Sequence, residues 1–339
     1  MTPTRRIRFR RALNEALREE LERDPSVFLM GEDLREPWGG TYKVTQGLSD
    51  EFGPERILNT PISEGAIVGA ALGAAVTGLR PVVELMYLDF ALLASDQIVN
   101  QAAKIRYMTG GQCTVPLTIR TQGGGYKSSA AQHGQSLEAW FAHVPGLLVA
   151  LPSNPADAKG LLKTAIRLDD PVLFIEHKDM YLDPGEVPDV ADHLVPFGKA
   201  AIKREGTDVT VVAWSKMVGF ALEAAEALAE EGVSVEVVDL RTLVPLDEET
   251  VLTSVAKTGR LVVVHEAHRR AGFGGEIAAI VAERAFDVLK APILRVASRD
   301  VPIPMAPNLE RFVLPSVADI SLAVRQIVGT AARTSEEIV

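Results

Sequence analysis

The chain has 339 residues, enough for about two domains, and its 47% hydrophobic and 24% charged residues exclude a disordered or collagen-like polypeptide. Lys and Arg number 35 against 45 Asp and Glu, a net charge of −10, which argues against a general nucleic-acid binder or a ligand for anionic membranes. The single cysteine, Cys113, excludes an internal disulfide and a cysteine zinc cluster, and fits a reducing cytoplasm.

Arg5, Arg6, Arg8, Arg10 and Arg11 suggest a basic arm or a transit segment, but no apolar signal core or cleavage site follows. A cytoplasmic protein is therefore expected. Leu13, Leu17 and Leu21 mark a first helix, stopped by Asp24-Pro25. Short strands are predicted at 27–30 and 57–59. Ser63 is placed to cap a helix whose first turn carries Glu64. Gly65, Gly69 and Gly73 then share one face, which predicts a tightly packed core or subunit-interface helix. The most apolar stretch, 65–79, falls short of the roughly 20 residues of a membrane span, so no membrane partner is expected.

Farther along, a strand is predicted at 81–86, a helix at 90–109, and a strand at 116–121 that runs into Gln122-Gly123-Gly124-Gly125. A helix at 136–143, a strand at 147–151, a helix at 155–167 and a strand at 172–176 follow. Pro184, Gly185, Pro188 and Pro196 make 179–197 the best linker candidate. The pattern then restarts with strands at 209–214, 233–239, 261–265 and 293–296. Helices at 217–231, 247–257 and 275–289 alternate with them. A proline-rich loop at 301–307 and a helical tail complete the chain. Strand alternating with helix predicts an α/β fold with two parallel-sheet units.

Common chemical signatures are missing. Gly272-Phe273-Gly274-Gly275 has the wrong spacing for a dinucleotide fingerprint, and His265-Glu266-Ala267-His268 the wrong spacing for a zinc helix. Three places remain open. Glu64 either complements its helix dipole or is a carboxylate at the sheet edge that ligands prefer. His133, in a loop beyond a strand, is either a surface histidine or an acid/base group. Met86, Tyr87 and Phe90 are either core or an apolar wall for a flat ring.

From Thr60-Pro61-Ile62-Ser63-Glu64 onward a resemblance is plain. The chain resembles the β subunit of the thiamine-diphosphate-dependent first component of 2-oxo acid dehydrogenase complexes, a family that includes pyruvate, branched-chain and acetoin enzymes. FLMGED (28–33), TPISE (60–64), GLRPVVE (78–84), DQIVNQAAK (96–104), YMTGG (107–111), AQH (131–133), PGL (145–147), DAKGL (157–161) and DLRTLVP (239–245) carry it in family order, over about residues 7–328. The resemblance implies a transketolase-like pyrimidine-binding domain (1–185), a linker (186–199), a transketolase C-terminal-like domain (200–329) and a tail (330–339). It implies an α subunit in an α2β2 heterotetramer, since this chain has no GDG segment to hold the diphosphate through Mg²⁺. It also implies a lipoyl-bearing dihydrolipoyl acyltransferase core as partner.

By similarity, Glu64 hydrogen-bonds the aminopyrimidine of thiamine diphosphate, Met86 and Phe90 pack on that ring, and His133 serves the incoming lipoyl group. Leu117, Ala165, Leu168 and Asp170 match a structural K⁺ site of some members. Leu168 stands where an Asp is common, and Gly134 where a Ser usually follows the histidine. Pyruvate is the first expectation for substrate, then branched-chain 2-oxo acids, then acetoin. The rivals are a split transketolase-like half and a scaffold subunit that kept the fold without the chemistry.

Overall fold

The computed structural model describes residues 3–190 and 192–329; the expected tail, 330–339, lies outside them. The chain packs into two units. The first comprises residues 3–124, 140–197 and 243–245. Its strands are β1 (Thr4–Arg8), β2 (Val27–Gly31), β3 (Ile57–Asn59), β4 (Arg80–Leu85), β5 (Thr118–Gly123), β6 (Leu148–Ala150), β7 (Val172–His177) and β8 (Pro184–Pro188). β6-β7-β5-β4-β2-β3 lie in that order in a parallel sheet. β5 and β7 are buried along their whole length, as strands covered on both faces must be.

The first helix, Phe9–Arg23, buries Phe9, Leu13, Leu17 and Leu21 against the helix Pro155–Arg167, whose Ala158, Leu161, Leu162 and Ala165 share the same core. Charges bracket this apolar seam: Lys163 Nζ lies 2.7 Å from Glu19 and Arg167 2.6 Å from Glu20.

The expected linker is not free chain. β8 pairs antiparallel with β1, and Val187 and Val195 are buried. Thr164 Oγ1 donates to Val195 O at 2.8 Å. Pro184 and Pro188 are tolerated because β8 is an edge strand, where a missing N–H costs no ladder bond. The expected single helix at 90–109 is three windings: a 3₁₀ segment Leu88–Ala94, a π segment Asp96–Ala102 and an α-helix Ala103–Met108. They run past the helix Glu64–Val76. A side chain at Gly65 would meet Leu93 O at 3.4 Å and one at Gly69 the Gln97 amide at 3.5 Å, whereas Gly73 faces open space.

The second unit comprises residues 125–139, 198–242 and 246–329. Its stretch of chain carries β9 (Ala201–Arg204), β10 (Val209–Ala213), β11 (Val235–Asp239), β12 (Thr242–Val244), β13 (Leu261–His268) and β14 (Leu294–Ser298). The sheet order is β14-β13-β10-β11-β9, parallel except for β9 at the edge. β12 instead extends the first sheet beyond β6, its residues 243–244 belonging to the first unit.

Helices Met217–Ala229 and Val317–Gly329 bury Val218, Ala221, Ala225, Ile320, Val324 and Ile327 in one core. The expected loop at 301–307 ends in a helix, Pro307–Val313, because proline is suited to a first helical turn. By length and composition alone Pro307–Gly329 could cross a membrane. However, the helix breaks at residues 314–316, and its buried face lies in the unit's own core.

Candidate active site

The parallel strands β2, β3, β4, β5 and β7 deliver their carboxyl ends to one edge of the first sheet, the edge where open α/β sheets bind ligands. Glu64 opens the helix that follows β3 and is only 6% exposed. Ser63 sits at the cap position, but its hydroxyl makes no capping bond. Met86 and Phe90 follow β4 and are half-buried; Thr41 Oγ1 donates to Met86 Sδ at 2.7 Å. A Cβ at Gly31 would meet Glu84 O at 2.8 Å, so glycine lets β2 approach β4.

Sequence reasoning missed Glu32, one residue beyond β2. It is 7% exposed, and its Oε1 has no hydrogen-bond partner. Burial, reinforced by the charges of Glu64, Asp33 and Glu84, pushes its carboxyl up to about 7. Glu84 is in turn held by Arg120 Nη1 at 2.6 Å, and Arg120 also grips Glu176 at 2.6 and 2.8 Å. Burial opposes the Arg120 charge, but Glu176 and Glu84 outweigh it and hold the guanidinium protonated. Tyr181 OH donates to Glu176 at 2.6 Å. The edge thus combines partly open apolar side chains with buried carboxylates. That donor set fits a flat, amine-bearing heteroaromatic ring better than a phosphate, which carboxylates would repel.

His133 belongs to the second unit, in residues 125–139, and is exposed. The loop before it is contorted: Tyr126, Ser128 and Ala130 have φ of 63°, 54° and 62°. Such left-handed non-glycine residues cost about 1–3 kcal/mol each and persist only where surrounding contacts impose them. The packing at Gly134 leaves no room for a side chain. A Cβ there would meet Ala130 O at 2.9 Å and Ile303 Cγ2 at 3.4 Å.

Nearby, Trp214 stacks on His265 at 5.2 Å with planes 6° apart, and Trp214 Nε1 donates to Glu138 at 3.1 Å. Burial lowers His265 to about 4 and raises Glu138 to about 7. The histidine of His265-Glu266-Ala267-His268 is therefore a core residue. Among the described residues no group of three or more His, Cys, Asp or Glu could hold a metal.

The four residues matched to a K⁺ site gather around the carboxyl end of the helix Pro155–Arg167. Their oxygens are engaged. Leu117 O accepts from Val172 N at 2.9 Å and Ala165 O from Leu168 N at 3.3 Å. Leu168 O accepts from Arg80 Nη1 at 2.9 Å, and Asp170 pairs with Arg106 at 2.5 Å. The Arg80 guanidinium stands where a cation would meet the last helical carbonyls.

Comparison with known proteins gives these sites a lineage. Residues 5–183 match the family described as "Transketolase, pyrimidine binding domain", and residues 198–320 "Transketolase, C-terminal domain". The chain is 50% identical over 321 residues to the mitochondrial pyruvate dehydrogenase E1 component subunit beta-2 of Oryza sativa subsp. japonica, covering 94% of this chain and 85% of that one. It is 50% identical over 331 residues to the acetoin:2,6-dichlorophenolindophenol oxidoreductase subunit beta of Cupriavidus necator, covering 95% and 97%. Among solved structures, a "Split gene transketolase, inactive beta4 tetramer" superposes with a TM-score of 0.78 at 26% identity, over 95% of this chain and 98% of that one. The chain therefore belongs to the transketolase-like family of β subunits that includes those of the pyruvate dehydrogenase E1 component and of the acetoin oxidoreductase.

Proposed function

We propose that this chain is the β subunit of a pyruvate dehydrogenase first component. It works with an α subunit in an α2β2 assembly and passes the acyl group to the lipoyl domain of a dihydrolipoyl acyltransferase core. The observation that carries the reading is the buried Glu64 carboxylate at the carboxyl edge of a transketolase-type pyrimidine-binding sheet. Thiamine diphosphate, when bound, supplies the electron sink for decarboxylation, and its Mg²⁺ comes with the α subunit.

This chain's residues do the positioning. Glu64 would take a hydrogen bond from the pyrimidine ring, a bond strengthened by the dry setting. Met86 and Phe90 would pack against the ring and orient it. Glu32, whose carboxyl burial pushes up to about 7, would in its protonated form donate where an ionised carboxylate cannot. His133, exposed on its loop, would act as acid toward the lipoyl group. The K⁺ site has the least support, since an ion there must displace Arg80 from Leu168 O. A single cysteine fits a reducing compartment; we place the protein in the cytoplasm, with the mitochondrial relatives of rice marking the alternative.

Acetoin cleavage is the second reading, because identity to the acetoin enzyme's subunit equals that to the rice subunit. Co-expression with an α subunit carrying a GDG segment tests both. Bound thiamine diphosphate is measured, then dichlorophenolindophenol reduction with pyruvate, a branched-chain 2-oxo acid and acetoin. Fastest turnover with pyruvate, with CO₂ released, supports the first reading; fastest turnover with acetoin, without CO₂, transfers it to the second. An assembled complex that binds no thiamine diphosphate overturns both.

A further inference from the structure

We propose that Glu266 and Glu310 are positioning residues for His133: two buried carboxylates that hold the histidine loop in its contorted shape. The inference rests on the role given to His133 above and extends it to residues outside the loop.

One carboxylate oxygen secures both ends of the loop. Gly125 N donates to Glu266 Oε1 at 2.6 Å, and Ser136 Oγ donates to the same oxygen at 3.2 Å. The middle is held by the second acid: Ser128 N is shared between Glu310 Oε1 and Oε2, 3.1 Å from each. Tyr126 OH adds a bond to Pro315 O at 2.6 Å. Glu266 is 7% exposed and Glu310 3%. Burying a carboxylate is costly unless hydrogen-bond donors surround it, and the donors here include backbone N–H groups of the loop itself.

These anchors fall where the backbone most needs them. Ser128, gripped by Glu310, is one of the three left-handed residues, and Tyr126 and Ala130 flank it. Space is equally tight. A Cβ at Gly125 would stand 2.5 Å from Leu314 Cδ1 and 3.4 Å from Glu310 Oε1. The loop therefore cannot relax toward the second unit's core, and it cannot lift away without breaking charge-assisted bonds. His133 is left exposed on a rigid support, the arrangement that a side chain needs if it is to meet a bulky incoming group in one orientation.

The test uses the complete α2β2 assembly. The variants are Glu310→Ala, Glu310→Gln, Glu266→Gln and His133→Ala, and the double variant Glu310→Ala/His133→Ala. Decarboxylation is followed with dichlorophenolindophenol and acyl transfer with a lipoyl domain. Hydrogen exchange is read on the peptide containing Ser128. We expect Glu310→Ala to lower acyl transfer about 10- to 100-fold, well beyond its effect on decarboxylation. Glu310→Gln keeps one acceptor oxygen and should recover part of the loss.

Because Glu310 acts through His133, adding Glu310→Ala to His133→Ala should cost nothing further. A full additional loss in the double variant, or equal losses in both half-reactions, overturns the proposal. If Glu310→Ala does not assemble, Glu310→Gln and Glu266→Gln carry the same comparison. If the unmodified assembly shows no 2-oxo acid or acetoin turnover, the functional reading fails instead. Exchange at Ser128 then decides whether Glu310 holds the loop: faster exchange in Glu310→Ala, slowed again in Glu310→Gln, supports it, and unchanged exchange refutes it.

Discussion

Glu64 and Glu32 are neighbouring carboxylates with different physical duties. Glu64 heads a helix, so the dipole favours its charge. Glu64→Ala should abolish turnover of the assembled enzyme while circular dichroism and thermal unfolding stay close to the parent; near-normal turnover would remove the pyrimidine-binding role. Glu32 is raised from its ordinary 4.5 to about 7. Its contribution to stability is full below 4.5 and disappears as pH rises through about 7, because the folded state then binds the extra proton no longer. Glu32→Gln, permanently neutral, should raise Tm at pH 8 and leave it nearly unchanged at pH 5. An equal change at both pH values would show that charge is not the cause. Glu64 was singled out from its place in the first turn after Ser63 and from its motif. Glu32 was not, although it stands in a quoted motif, because its perturbation comes first from burial and then from acids that include Glu84 on β4 and Glu64 on the helix after β3, an environment that only the fold assembles.

Three strands of the first sheet are cross-linked by one side chain. Arg120 on β5 reaches Glu84 on β4 and Glu176 on β7, with all three nearly inaccessible. Replacing it by Met strands two buried carboxylates and should cost about 3–5 kcal/mol in denaturant unfolding; a loss below about 1 kcal/mol, the range of an exposed pair, would show the triad to be solvated. In the second unit, His265 is depressed to about 4 and Glu138 raised to about 7. The neutral histidine stabilises fully above 6.5, and this is lost as pH falls through about 4. The protonated acid stabilises fully below 4.5, and this is lost as pH rises through about 7. A His265→Phe variant should therefore lose less stability than the parent between pH 6 and 4, as read by thermal melts; a parallel acid limb would exclude His265 as its origin. Elements with local signals were legible, such as the helix Pro155–Arg167, expected over 155–167. β1, β8, β9 and β12 were not, since each depends on a partner distant in sequence. No periodicity in an isolated segment announces that pairing.

At the scale of the molecule, the two-unit α/β plan followed from alternating strand and helix, whereas the interleaving of the two units along the chain did not. The histidine loop, 125–139, follows a strand of the first unit in sequence yet packs with the second, where its anchoring carboxylates Glu266 and Glu310 lie. The absence of a diphosphate-binding segment makes a whole-molecule prediction: this chain alone should give no turnover with pyruvate, and titration with the α subunit should restore it to a plateau at one-to-one stoichiometry. Turnover by the isolated chain would refute the shared site.

The pairing of β1 with β8 also has a consequence in time. Arg8 and its partner Pro184 are 176 residues apart, so at roughly 5–20 residues per second the first strand leaves the ribosome about 9–35 s before its complement exists. For that interval it is a bare edge. Arg5, Arg6 and Arg8 within it are the kind of charge that keeps such an edge from joining another nascent chain.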